Sequence, residues 1–305
     1  MKILCTGGLG AVGTWLVKEL RGRGHEVWIM DRPHHHDAQY VRGDVGEFRQ
    51  FERVVEGRDF DYVYHLAAEF GRWNGEDFYE TLWRTNAIGT KNLLRLQERL
   101  GFRSIFFSSS EVYGDYDGVM VEDVMDRIEI RQMNDYAMTK WVGEQQVLNS
   151  AAMHGTETVR VRLFNTYGPG EPYSRYRSAI CIFAYHALHD MPFTVYMGHL
   201  RTSTFVSDTT RTLANIVDHF SPGEVYNVGG LDLHDMETPA RMILESLGKP
   251  ASLATFKEGE PFTTKEKRVD CSKAIRDLAH APRVTIEEGI PRTLDWMKAY
   301  YKVMG

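Results

Sequence analysis

Two stretches of the chain hold side chains whose types and spacing suit proton transfer. In NDYAMTKWVGE, Tyr136 and Lys140 are four residues apart, which puts both on one face of a helix. An ammonium beside a phenol stabilises the phenolate. Lys140 is therefore expected to draw the Tyr136 pKa toward neutrality and let the tyrosine take a proton from a sugar or alcohol hydroxyl. In FFSSSEVYGD (residues 106–115) an apolar pair runs into three serines, then Glu111. That carboxylate suits either a base or an acid that orients the turn, and the run by itself does not single out one hydroxyl. A tyrosine and lysine at this spacing also occur on ordinary amphipathic helices, so the surrounding elements must decide.

Those elements alternate. Strands are expected at Lys2–Thr6, Glu26–Met30, Tyr40–Gly43, Tyr62–Leu66, Ser104–Ser108 and Thr158–Phe164. Helices are expected at Thr14–Arg23, Glu80–Leu100 and Tyr136–Met153. Such alternation implies a doubly wound α/β fold, a parallel sheet with helices on both faces. The less regular second half suggests a smaller α/β unit packed against the first, with a cleft between them.

TGGLGAVG (Thr6 to Gly13) sits between the first strand and the first helix. Gly7, Gly10 and Gly13 permit a tight turn and let backbone N–H groups approach a pyrophosphate at the helix N-terminus. Asp31, at the end of the next strand, suits the adenosine ribose hydroxyls and would repel a 2′-phosphate. This favours NAD over NADP, although Arg32 adjoins it. The run His34–His36 reads as a solvated loop, since consecutive loop side chains rarely converge on one ion; no metal is expected.

A net charge of −6 advertises no nucleic-acid surface. Three widely spaced cysteines, Cys5, Cys181 and Cys271, form no disulfide framework or metal pair and suit a reducing, cytoplasmic setting. MKILCTGG enters a strand at once, so no signal peptide is expected. No apolar run approaches the roughly 18 residues of a membrane helix.

In this order the motifs resemble the extended short-chain dehydrogenase/reductase family, the NAD-dependent nucleotide-sugar epimerases and dehydratases. TGGLGAVG, GDV (43–45), YHLAA (64–68), TNAIGTKNLL with Asn86, SSSEVYGD, YAMTK, RLFNTYGPGE, EVYNVGG and DCSKAIRDL carry the resemblance over nearly the whole chain. It implies a Rossmann domain over 1–168, joined by a returning segment near 204–232, and a nucleotide-sugar-binding domain from 169–203 and 233–305. It implies that Asp44 and Val45 flank the adenine, that Leu66, Ala67 and Ala68 line the cofactor's path with Asn86 beside them, and that Lys140 holds the nicotinamide ribose. Ser109, three residues before Val-Tyr-Gly, becomes the catalytic hydroxyl. Ser110, Asn165 and Arg201 are implied for the nucleotide-diphosphate sugar, with Arg175 and Arg177 as looser candidates for its anion. Glu69 and Arg72 stand where small polar residues commonly line the sugar pocket. The family's late nucleotide-contacting arginine has no secure match; Lys257 or Arg268 is the nearest substitute. The resemblance further implies a homodimer.

The implied chemistry passes through a transient 4-keto sugar. Glu111 then separates the outcomes: a glutamate there suits 4,6-dehydration, a lyase reaction in which it removes the C5 proton while water leaves C6. Simple 4-epimerases, which are isomerases, usually carry a small or uncharged residue in that slot. The reading leans to 4,6-dehydration; 4-epimerisation is the first alternative, and UDP-glucuronate decarboxylation, ring mutation, a net keto-sugar reductase and a non-catalytic NAD-sensing protein remain as others.

Overall fold

KILCT, YVYH and TVRVRL are short runs rich in apolar and β-branched residues, the composition of strands covered on both faces. In the computed structural model, which describes residues 1–303, they belong to one seven-stranded sheet. Its strands are β1 (Lys2–Thr6), β2 (Glu26–Asp31), β3 (Tyr40–Arg42), β4 (Tyr62–His65), β5 (Arg103–Ser109), β6 (Thr158–Leu163) and β7 (Val225–Val228). All neighbours run parallel in the order β7-β6-β5-β4-β1-β2-β3. The order reverses beside β1, and the crevice at the carboxyl ends there is where open sheets of this kind bind ligands.

The helices are α1 (Ala11–Gly22), α2 (Phe48–Val55), α3 (79–100), α4 (Asp135–His154), α5 (Ala179–Leu188), α6 (Val206–Asn215), α7 (Glu237–Leu247) and α8 (Ile286–Tyr301). Leu16 and Leu20 of α1 with Leu213 and Ala214 of α6 cover one face of the sheet. Phe51 and Val54 of α2 with Leu93 and Leu96 of α3 cover the other. Leu94 of α3 and Val147 of α4 meet Phe106 of β5. A π-helical turn, Arg84–Ile88, interrupts α3, where the sequence predicts an unbroken helix.

A second apolar cluster joins α5, α7 and α8 around Phe193 and Val195, whose strand Phe193–Met197 pairs in parallel with Ala254–Glu258. Not all of 233–305 lies there: Ala274 and Leu278 pack into the sheet's own core. The short helix Ser272–Leu278 returns to the first unit because its apolar side chains complete the cover over β7. Among the described residues no helix is long and apolar enough to cross a membrane.

Candidate active site

One cavity of ≈650 Å³ runs from the glycine turn to the second apolar unit. At its first end a Cβ on Gly7 would lie 2.7 Å from the Ala67 backbone, and φ is +69°. A Cβ on Gly13 would lie 2.4 Å from the Gly7 carbonyl oxygen. These glycines let β1, the turn and α1 close tightly. Gly10 caps α1 with no side-chain hydrogen bond to the first turn, which leaves helix N–H groups facing the cavity for an anion. Asp31 accepts the Leu9 N–H at 3.0 Å and the Arg32 N–H at 2.8 Å, so its carboxylate is fixed at the rim. Asp44, Val45, Leu66, Ala67 and Ala68 continue the lining. Uncapped N–H groups, close-packed glycines and a fixed carboxylate together fit a dinucleotide.

Ser109 ends β5 and Tyr136 lies in the first turn of α4, where Asn134 caps the helix by accepting the Ala137 N–H at 2.9 Å. Both Ser109 and Tyr136 are buried cavity-lining residues. Lys140, one turn on, donates to the Phe107 carbonyl at 2.8 Å, and burial lowers its ammonium pKa to about 8. The expected drop in the Tyr136 pKa does not occur in the protein alone. Burial pushes the phenol up; the Ser109 hydroxyl lowers it and the Glu111 charge raises it. The reason is geometric as well: the Lys140 ammonium is engaged by Phe107 and lies 5.9 Å from the Tyr136 ring centroid.

Glu111 is the second residue of a short 3-10 turn, Ser110–Tyr113, and donates its backbone N–H to the Ser109 Oγ at 3.2 Å. Its carboxylate forms an ion pair with Lys267, whose Nζ also lies 3.3 Å from the Ser110 Oγ. Burial would raise the Glu111 pKa, but Lys267, with smaller contributions from Arg201 and Arg72, brings it below the ordinary carboxylate value. Lys267 is 1% exposed. The resemblance offers Lys257 or Arg268 as the late cation and does not single out Lys267. Both of those are exposed, and neither lines the cavity.

Arg201 lines the cavity, but its guanidinium is spent on protein carbonyls: Leu200 and Lys265 at 2.8 Å and Thr264 at 2.9 Å. It clamps residues 264–265, and the Leu200 carbonyl accepts the Lys267 N–H at 3.0 Å. Arg201 thus anchors the segment that delivers Lys267 rather than presenting a free fork to phosphate. Arg175 is exposed and pairs with Asp77. Arg177 lines the cavity half-buried and forms no salt bridge among the described residues. Asn165, held at φ +39°, lines the wall and donates to the Thr202 carbonyl at 3.0 Å.

Two expected contacts point elsewhere. Asn86 is buried in the π-helical turn, where its amide accepts the Glu69 N–H at 2.8 Å and donates to the Glu69 carbonyl at 3.0 Å and to Thr139 at 3.1 Å. It clips a loop to α4, while the adjacent Thr85 lines the cavity. Glu69 is outside the lining and pairs with Arg32 at 2.8 Å. Arg72 does line the cavity and pairs with Glu260 across it. The histidine run is exposed, and no group of three or more metal-ligating side chains converges among the described residues.

This fold and cleft define a dinucleotide-dependent α/β enzyme. Residues 3–229 match the NAD dependent epimerase/dehydratase family, and the chain belongs to it; its cofactor is NAD. UDP-glucuronic acid decarboxylase 1 of Arabidopsis thaliana is 28% identical over 305 residues, covering 96% of this chain and 68% of the relative. A dTDP-glucose 4,6-dehydratase of Streptomyces niveus is 29% identical, covering 98% of this chain and 93% of the relative. The solved structure of an epimerase from Methanothermobacter thermautotrophicus superposes with a TM-score of 0.89 at 29% identity, covering 99% of this chain and 93% of that one. The protein is an NAD-dependent nucleotide-sugar-modifying enzyme of this family.

Proposed function

We propose that the protein is a nucleotide-sugar lyase that performs 4,6-dehydration of a nucleoside diphosphate hexose. The observation that carries this reading is the Glu111 carboxylate, kept ionised by Lys267 on the turn that also holds Ser109. On this reading Asp31 would hold the adenosine ribose, Asp44 and Val45 would flank the adenine, and the turn at Gly7, Gly10 and Gly13 would take the pyrophosphate. Arg177, a half-buried cation of the cavity wall with no ion-pair partner among the described residues, and Asn165 take the substrate diphosphate. Bound NAD supplies a hydride acceptor at C4, a positive charge that favours the Tyr136 phenolate, and a hydride donor for C6.

Ser109 bonds the sugar 4-hydroxyl, and Tyr136 receives its proton. Lys140, fixed by Phe107, offers an ammonium to the nicotinamide ribose. The resulting C4 carbonyl acidifies C5–H. Glu111 takes that proton, the electron pair forms C5=C6, and the C6 oxygen leaves as water. An epimerase needs no base at C5, which is why the Glu111 environment favours elimination.

A second reading is decarboxylation of a nucleoside diphosphate uronate. Among the described residues Arg72, Arg201 and Lys267 are set against Glu111 and Glu260 in this corner, an excess of one cation that suits a carboxylate at C6. The first relative described above is such a decarboxylase.

The test is incubation with UDP-, dTDP- and GDP-hexoses and the corresponding uronates, with products read by mass. Loss of water supports the proposal; loss of carbon dioxide supports the second reading. Unchanged mass with a new sugar NMR spectrum means epimerisation and rejects both. Glu111→Gln should stop the elimination while 4-keto sugar still forms and is captured by borohydride. We also propose a homodimer, because exposed Tyr79 and Ile88 on α3 and Met138 and Leu148 on α4 would be covered by a second copy. A monomeric mass by light scattering would reject this.

A further inference from the structure

We propose that Lys267 is the internal proton source of the elimination and works through the Ser110 hydroxyl, which hands its proton to the departing C6 oxygen. The inference rests on the 4,6-dehydration proposed above and adds the step that Glu111 cannot perform alone. A C6 hydroxyl is a poor leaving group until protonated. Ser109 and Tyr136 serve the 4-hydroxyl, and Glu111 as a carboxylate can only accept. Of the other two serines of the run, Ser108 already donates to Glu144 at 2.5 Å, which leaves Ser110; it is buried and lines the cavity.

Behind Ser110 stands Lys267, with Nζ 3.3 Å from the serine oxygen and ion-paired to the Glu111 carboxylate. One ammonium therefore touches both the group that gains a proton and the hydroxyl that must give one. It is 1% exposed, so its proton is replaced from within the site. Thr264 bonds the Gly114 carbonyl, and the Leu200 carbonyl holds the Lys267 N–H, which fixes this segment against the Ser110 turn. Burial lowers the ammonium pKa and Glu111 opposes that fall, while the cations Arg201 and Arg72 add to it. Arg72 is itself paired with Glu260.

The step balances without an outside reagent. The C5–H bond breaks, a Glu111 O–H bond forms, and the electron pair becomes C5=C6. The C6–O bond breaks as oxygen takes the Ser110 proton; Ser110 takes one from Lys267, and Lys267 recovers one from Glu111 across the ion pair. One water is released, and Glu111, Lys267 and Ser110 end as they began. Since Lys267 reaches the substrate only through Ser110, it is a positioning and relay residue.

The test uses the full-length, NAD-loaded protein with the hexose it dehydrates. Ser110→Ala and Lys267→Met should each lower kcat about 100-fold, with KM within about threefold, while borohydride traps 4-keto sugar that retains its C6 hydroxyl. Lys267→Arg keeps the charge but not a labile proton, and should restore no more than about a tenth of the parental rate. Without substrate, 13C NMR of the carboxylates should show Glu111 titrating at higher pH in Lys267→Met than in the parent. An unshifted Glu111, an unchanged kcat in Ser110→Ala, or parental kcat in Lys267→Arg overturns the relay. Should Lys267→Met fail to fold, Ser110→Ala still decides, because it leaves the ion pair intact. A parent that decarboxylates or epimerises but never dehydrates refutes the functional reading, and the relay falls with it. A parent that dehydrates while Ser110→Ala is unimpaired refutes the relay alone.

Discussion

The Lys140 ammonium donates to the Phe107 carbonyl at 2.8 Å, on the strand whose last residue is Ser109. This bond staples α4 to β5 and sets Tyr136, one turn earlier on α4, beside Ser109. The phenol is buried and holds its proton in the protein alone. In the proposed mechanism its position next to the serine, rather than its resting pKa, fits it for proton transfer.

Tyr136→Phe should keep fold and cofactor binding and lower turnover by about 10³-fold, within the usual range for a lost acid–base group. Trapping by borohydride should find no 4-keto sugar. Turnover within about tenfold of the parent would remove Tyr136 from the mechanism.

Burial of Lys140 has a consequence for stability against pH. Its folded pKa, about 8, is below the ordinary 10.5. Between those values the unfolded chain binds more protons, so this group's contribution to stability rises with pH across that window. The cost relieved is on the order of 3 kcal/mol at most. Denaturant titrations of cofactor-free protein should show a rising difference between parent and Lys140→Met from about pH 8 to pH 9, before tyrosines titrate near pH 10. A flat difference would mean that the Phe107 carbonyl already compensates the ammonium.

Much of this was readable in the sequence, because sheet, glycine turn and catalytic helix are local patterns. β1, its turn and α1 are continuous in the chain, and Tyr136 and Lys140 share one helix. Lys267 was not readable: it meets Glu111 across 156 residues, and only tertiary pairing turns one lysine of a charged run inward. Arg201 shows the converse. The resemblance implies a substrate contact for it, but its donors go to the carbonyls of residues 264–265, whose path no local signal reveals. Asn86 faces away from the cavity because the π-helical turn rotates it toward α4, and a periodic helix pattern does not announce such a turn.

Beneath Ser109 lies a buried ionic cluster. The fully buried Glu144 accepts from Arg162 at 2.8 and 2.9 Å, Arg160 at 3.3 Å and Ser108 at 2.5 Å. These cations hold its pKa below the usual carboxylate value against the effect of burial. Glu144→Gln leaves two buried guanidiniums short of their counter-charge and should cost about 3–5 kcal/mol. The carboxylate's contribution is present above the unfolded carboxylate pKa and is lost as pH falls through the lower folded value. The parent's advantage over the variant in urea should therefore shrink below about pH 4. An equal advantage at pH 3 and pH 7 would show that packing, not charge, sustains the cluster.

Asp31 and Arg32 make opposite demands on a dinucleotide, and Glu69 resolves the conflict. The Asp31 carboxylate is fixed by the Leu9 and Arg32 N–H groups, while the Arg32 guanidinium is held by Glu69 at 2.8 Å. A 2′-phosphate would meet a carboxylate and an arginine already engaged. On the proposed binding mode Asp31→Ser removes charge-assisted bonds to the ribose and should weaken NAD binding about 10- to 100-fold, with little gain for NADP. Adding Glu69→Gln frees Arg32 and should improve NADP binding about tenfold over the single variant. Dissociation constants for both dinucleotides, measured by calorimetry, check each step. If Asp31→Ser binds NAD as tightly as the parent, Asp31 does not hold the ribose. If the double variant gains nothing for NADP, the Arg32–Glu69 pair plays no part in the choice. The salt dependence supplies an internal control, since any gain made through a freed guanidinium should fade as ionic strength rises.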